Sequence, residues 1–245
     1  MRDLYNSLKG KLDHRLNLTL TRQELNFSEE TIFRNDIRPE ALLYHFGFLT
    51  IDRAPRNPNE LYTLKFNSSL NRISMFTNLV YGAAYADKTI ADTIWRLEKL
   101  FKKLPPKVDD LKSVMPALIK VINSIPFQYE TDKDLLAIFG VLHKCGLEPT
   151  IGGTPEDSDT IYCEYAPNNT RILFATNNRQ KNAKQWWNNY YRNATSYLIS
   201  CRPKKNNLIV VIPFDRFKPG KPTYDWYAEF QNPVGKTIQR YEPLK

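Results

Sequence analysis

Apolar positions recur at helical spacing through the first half of the chain and gather into short runs in the second. Leu4, Leu8 and Leu12 lie four apart and predict an N-terminal helical turn or two. Ser28-Glu-Glu-Thr predicts a second helix start, with acids where the positive end of the helix dipole favours them. Pro39 opens a clearer helix to Phe46, which Gly47 ends. Phe48 to Ile51 reads as a strand, Arg53 to Asn59 as a turn, and Glu60 to Phe66 alternates as a second strand, so the pair predicts a hairpin. Ser68 or Ser69 then caps a helix bearing Ile73, Phe76, Leu79 and Val80 on one face. Ala91 to Lys103 repeats the pattern with Ile94, Leu97, Leu100 and Phe101. After a break at Lys102-Lys-Leu-Pro-Pro-Lys107, Leu111 to Asn123 resumes it.

A second unit begins at Pro126. Leu135, Leu136, Phe139 and Leu142 form the stripe of a helix that Gly146 terminates. Short strands are expected at Leu147 to Ile151, Thr160 to Tyr165 and Thr170 to Thr176, then a basic, aromatic helix from Arg179 to Tyr197. Leu208-Ile-Val-Val-Ile212 is an apolar run suited to a strand buried on both faces. Tyr224 to Phe230 reads as an edge strand and the chain from Asn232 as a loose tail. Helix, three strands, helix and strand make an α/β core. The chain divides into residues 1–124, an arm, hairpin and helical scaffold, and residues 125–245, the core.

Composition changes this picture in one place. The 245 residues carry a net charge of +9, and the excess is concentrated. From Tyr165 to Phe214 there is no Asp or Glu, while Arg171, Arg179, Lys181, Lys184, Arg192, Arg202, Lys204 and Lys205 all fall there. Such a stretch attracts a polyanion or an acidic protein. No apolar run is long enough to span a bilayer. The three cysteines, Cys145, Cys163 and Cys201, have no metal-ligand spacing, and their odd number speaks against a disulfide framework.

The run Arg38-Pro-Glu-Ala-Leu-Leu-Tyr-His-Phe-Gly-Phe-Leu-Thr-Ile51 resembles a signature of the bacterial family that joins an AAA-ATPase-like domain to a PD-(D/E)XK nuclease-like domain. The resemblance covers the nuclease part, from about Leu16 to Phe230. It implies a restriction-endonuclease-like core, a mixed sheet flanked by helices, with the hairpin and helices as an N-terminal extension. It also implies a remnant pocket. Glu130 matches the acid of the first core helix and Asp159 the acid entering the second strand, although the family's Gly and Arg before it are gone. Gln185 and Tyr191 match a Gln and a Tyr six residues on. The Glu-x-Lys that should end the next strand is absent, because Ile172-Leu-Phe-Ala-Thr-Asn177 stands there.

That loss sets the expected chemistry. Nucleases of this kind hold Mg²⁺ between carboxylates and use a lysine beside the attacking water. The expectation is a catalytically inactive, nuclease-like binding module without cofactor. Arg179, Lys181, Lys184, Trp187, Tyr190 and Arg192 would meet a protein partner or nucleic acid. The alternative is an active Mg²⁺-dependent nuclease with Glu130 and Asp159 as metal ligands, Gln185 in the site, and Lys181 or Lys184 in the role of the missing lysine. The expected location is a bacterial cytoplasm, or a host cell if the chain belongs to a secreted effector.

Overall fold

A computed structural model describes residues 2–11, 14–26, 37–102, 108–127, 133–151, 160–165, 170–177, 205–213 and 226–241. Among them are seven helices and nine strands in two sheets. The first half contains α1 (Arg2–Leu8), β1 (Thr19–Leu20), α2 (Arg22–Leu25), α3 (Pro39–His45), β2 (Leu49–Arg53) and β3 (Tyr62–Phe66). Three long helices follow: α4 (Ser69–Ala86), α5 (Lys88–Lys102) and α6 (Val108–Ser124). The second half holds α7 (Lys133–Lys144), β4 (Thr150–Ile151), β5 (Thr160–Tyr165), β6 (Thr170–Asn177), β7 (Asn206–Pro213), β8 (Tyr227–Gln231) and β9 (Thr237–Tyr241).

Local chemistry explains most boundaries. Ser68 Oγ accepts the Asn71 N–H at 3.2 Å and starts α4. Thr21 and Glu24 form a reciprocal capping box on α2. Pro39 occupies the first turn of α3, where its missing N–H costs nothing. Gly47 and Gly146 end α3 and α7 in left-handed conformations, with φ of 77° and 76°. The N–H groups of Phe48 and Leu147 then turn back to Leu43 O and Leu142 O, so both helices close in the same hydrogen-bonded C-terminal motif.

The smaller sheet has the order β1-β3-β2, all antiparallel, and includes the expected hairpin. The larger has the order β4-β5-β6-β7-β8-β9. Its pairs are antiparallel except β6 with β7, which run parallel in register from Thr170↔Asn206 to Asn177↔Pro213. A parallel neighbour needs a crossover of a dozen residues or more, and residues 178–205 make that connection. On one face of the sheet Ile172, Phe174, Leu208, Val210, Ile212, Ala228 and Phe230 join the hydrophobic core shared with α4 to α7. The alternate positions, Arg171, Leu173, Asn207, Ile209, Glu229 and Gln231, are buried on the other face.

Two expectations at the C-terminal side are corrected. β8 is not an edge strand: it lies between β7 and β9. The chain after Asn232 is not loose either, because Thr237–Tyr241 returns as β9, the outer strand. Asn232 Oδ1 accepts the N–H groups of Val234 and Lys236 and builds the intervening turn, with Gly235 at φ 79°. The strand expected at Leu147 to Ile151 shrinks to Thr150–Ile151, since the motif ending α7 consumes its first residues.

Helix α7 packs on α4 at Gly140. A Cβ there would lie 3.0 Å from Val80 Cγ2 and 3.1 Å from Thr77 Cα. Gly140→Ala should gain about 1 kcal/mol of helix propensity and lose a similar amount to crowding. Gly140→Leu has no such offset and should lower stability by roughly 3 kcal/mol or more. Urea midpoints of the two variants test this contrast.

Candidate functional site

Every residue of the expected remnant pocket and binding surface lies outside the described residues: Glu130, Asp159, Arg179, Lys181, Lys184, Gln185, Trp187, Tyr190, Tyr191 and Arg192. So does the expected helix from Arg179 to Tyr197. The frame next to them is described. β5 begins at Thr160, directly after Asp159 in sequence, and its first residue pairs with Ala175 near the end of β6. The start of β5 and the end of β6 are therefore neighbours.

At that end of β6 the decisive side chain is Phe174. It is fully buried and meets the Phe101 ring of α5 edge to face, with centroids 6.1 Å apart. Its β7 partner in register is Val210, also fully buried. One of the two positions at which the family's strand glutamate could fall is thus a core position among apolar side chains, where an ionised carboxylate would be desolvated. Among the described residues no group of three or more His, Cys, Asp or Glu side chains could hold a metal ion.

Of the cations in the acid-free stretch, Arg171 does not reach the surface. Its side chain is buried, and one guanidinium nitrogen lies 3.5 Å from Asn207 Oδ1 on β7. Cross-strand register brings Glu164, Arg171, Asn207 and Gln231 into one row over four strands. Glu229 lies one row further along, fully buried. It accepts from Gln231 Nε2 at 3.3 Å, from Thr237 Oγ1, and from Arg240 at 3.2 and 3.3 Å. A strand alternating Glu229 and Gln231 with Ala228 and Phe230 carries the signal for a polar face, but not that this face is buried.

Two further buried charges do structural work. Glu40, fully buried at the start of α3, accepts from Asn17 N at 2.6 Å, lies 2.9 Å from His14 Nε2, and pairs with Arg38 Nε at 3.4 Å. It ties residues 14–17 to α3. Lys133 is the first residue of α7, the positive end of that helix, where a cation is disfavoured. Its Nζ instead donates to Ile122 O, 2.6 Å away in the last turn of α6, with Asp134 Oδ1 at 3.3 Å. That carbonyl also accepts the Ile125 N–H at 3.3 Å, so the ammonium joins a turn bond that closes α6.

Burial pushes the Lys133 amine below its ordinary value of 10.5, against the smaller opposing pull of Asp134. The folded chain therefore binds this proton less tightly than the unfolded chain does. In the window below 10.5 the unfolded state holds more protons, so stability contributed at this site rises with pH. Lys133→Met should remove that rise and should cost little at neutral pH, since a hydrophobe of similar length replaces a desolvated cation. Paired urea titrations from neutral to alkaline pH isolate the difference.

α7 carries one histidine near its C-terminal end. His143 Nδ1 lies 2.6 Å from the Tyr81 hydroxyl. Cys145 is buried, with its thiol 3.5 Å from Ile94 O. No helix among the described residues is long and apolar enough to cross a membrane. No family model matches the chain, and neither does any curated protein or solved structure.

Proposed function

We propose that this chain uses a PD-(D/E)XK-like frame as a binding module and does not cut. The order α7, the antiparallel run β4-β5-β6, and β7 returning parallel to β6 after a long connection supports the frame. The observation that carries the loss of cleavage is Phe174, packed on Phe101 at the end of a β6 whose sequence offers neither carboxylate nor lysine. Without a strand carboxylate the metal loses a hard oxygen ligand, and without the lysine the attacking water loses its neighbouring positive charge. Arg179, Lys181, Lys184, Trp187, Tyr190 and Arg192 are the residues we assign to the partner, an acidic protein surface or nucleic acid.

A plasmid-nicking assay with Mg²⁺ or Mn²⁺ should show no metal-dependent product. Cleavage that disappears in Asp159→Ala would overturn the reading and restore a nuclease built on Glu130, Asp159 and a lysine from 181 or 184. Binding to a short duplex, if nucleic acid is the partner, should weaken steeply with salt, by about 0.9 in log–log slope per phosphate contact. Loss of that binding in the triple variant Lys181→Ala, Lys184→Ala, Arg192→Ala is expected. A duplex that does not bind at low salt leaves the protein partner.

A further inference from the structure

A second surface carries aromatic and cationic groups in one stripe, all from described residues. It crosses the seam between α4 and α7, which Gly140 holds close. On α4, Tyr81 and Tyr85 lie one turn apart; on α7, Phe139 and His143 do the same. The Phe139 and His143 rings are near parallel, 13° apart with centroids at 6.4 Å, and His143 lies 6.0 Å from the Tyr81 ring. The Lys144 ammonium sits 4.5 Å from the Tyr81 ring centre and 5.1 Å from that of Tyr85. Tyr85 is 62% exposed, so most of its ring is bare.

Partial burial, with Tyr85 alongside, pushes the Tyr81 phenol up from its ordinary value of 10.0, so it keeps its hydrogen. When that hydrogen goes to His143 Nδ1, the other ring nitrogen carries the N–H. The surface then offers the exposed Tyr85 ring for a flat apolar group, with the Lys144 ammonium against it and His143 against the neighbouring Tyr81 for anions. Rings repeated at one helical turn, about 6 Å, suit a strand of linked bases better than a single small ligand. Base–aromatic stacking with cations tracking the phosphates is how single strands are held without sequence preference.

We propose that the Tyr81, Tyr85, His143 and Lys144 stripe is a binding site for single-stranded nucleic acid. The proposal does not depend on the frame being nuclease-like or on residues 178–204. The test is fluorescence anisotropy of a fluorescein-labelled oligothymidylate at low salt. Tyr85→Ala and Lys144→Glu are each expected to weaken binding about tenfold, and Tyr85→Trp to retain it. Both residues lie at the surface of a packed helix pair, and far-UV circular dichroism checks that the variants stay folded. Three results overturn the proposal. One is no binding by the unaltered chain; another is equal affinity in both weakening variants. The third is binding of polyglutamate but not of oligothymidylate, which assigns the stripe to an acidic protein. Binding lost only in the Lys181, Lys184, Arg192 triple variant belongs to the other surface and counts against this one.

Discussion

Phe174→Glu, which places a carboxylate in β6, is expected to unfold the chain rather than to make it cut. Phe174 has no exposed surface and lies between Phe101 and the apolar side chains of β7. Deleting a buried phenylalanine ring costs about 3–5 kcal/mol. A glutamate in its place must either hold a desolvated charge, at a cost of several kcal/mol, or take up a proton and lose the ability to bind metal. The sum approaches or exceeds the total stability of ordinary domains, about 5–15 kcal/mol. Phe174→Leu separates packing from charge: it should cost about 1–2 kcal/mol and leave oligonucleotide or protein binding unchanged. Urea midpoints followed by circular dichroism, with the nicking assay run alongside, read both effects. A Phe174→Glu, Thr176→Lys chain that folds stably and gains Mg²⁺-dependent nicking would show that the position faces a metal site, and the binding-module reading would fall.

The elements of this fold that were legible in the sequence are those whose signals are local. Ser68, Pro39, Gly47 and Gly146 mark helix ends through one residue's hydrogen bonding or backbone freedom, and each stands where the structure needs it. The run at 208–212 announces a doubly buried strand because every position in it is apolar. β9 escaped because Thr237-Ile-Gln-Arg-Tyr241 has no apolar stripe: as the outer strand it buries little, and its pairing comes from β8 and the Asn232 turn. Lys133, Glu40 and Arg171 escaped for a related reason. A charged side chain reads as surface until its partners are known, and those partners include Ile122 O for Lys133, His14 for Glu40 and Asn207 for Arg171, each on another segment of the chain. The absence of a Glu-x-Lys from β6 was legible directly. That Phe174 packs inward on Phe101 was not, because α5 lies some seventy residues earlier in the chain.

Glu229→Leu tests whether the buried polar face sets the register of the large sheet. Side chains alternate along a strand, so a one-residue slip of β8 would carry Glu229 and Gln231 to the helix side and turn Ala228 and Phe230 away from the core. Removing one partner of a buried charge cluster usually costs about 3–5 kcal/mol. The lower end applies here, because the Arg240 side chain is 46% exposed and can turn its charge to water. The donor that loses most is Gln231 Nε2, whose side chain is buried. Glu229→Leu should therefore lower stability by roughly 2–3 kcal/mol, and Glu229→Gln, which keeps an acceptor in place, by about 1 kcal/mol. Adding Arg240→Met to Glu229→Leu should recover part of the loss, since the cation is then no longer left opposite an apolar side chain. Urea midpoints of the three variants, with hydrogen exchange at the β8 and β9 amides, read stability and pairing together. Equal stability and unchanged exchange protection in Glu229→Leu would mean that the apolar alternation alone fixes the register, and that the carboxylate is tolerated there rather than required.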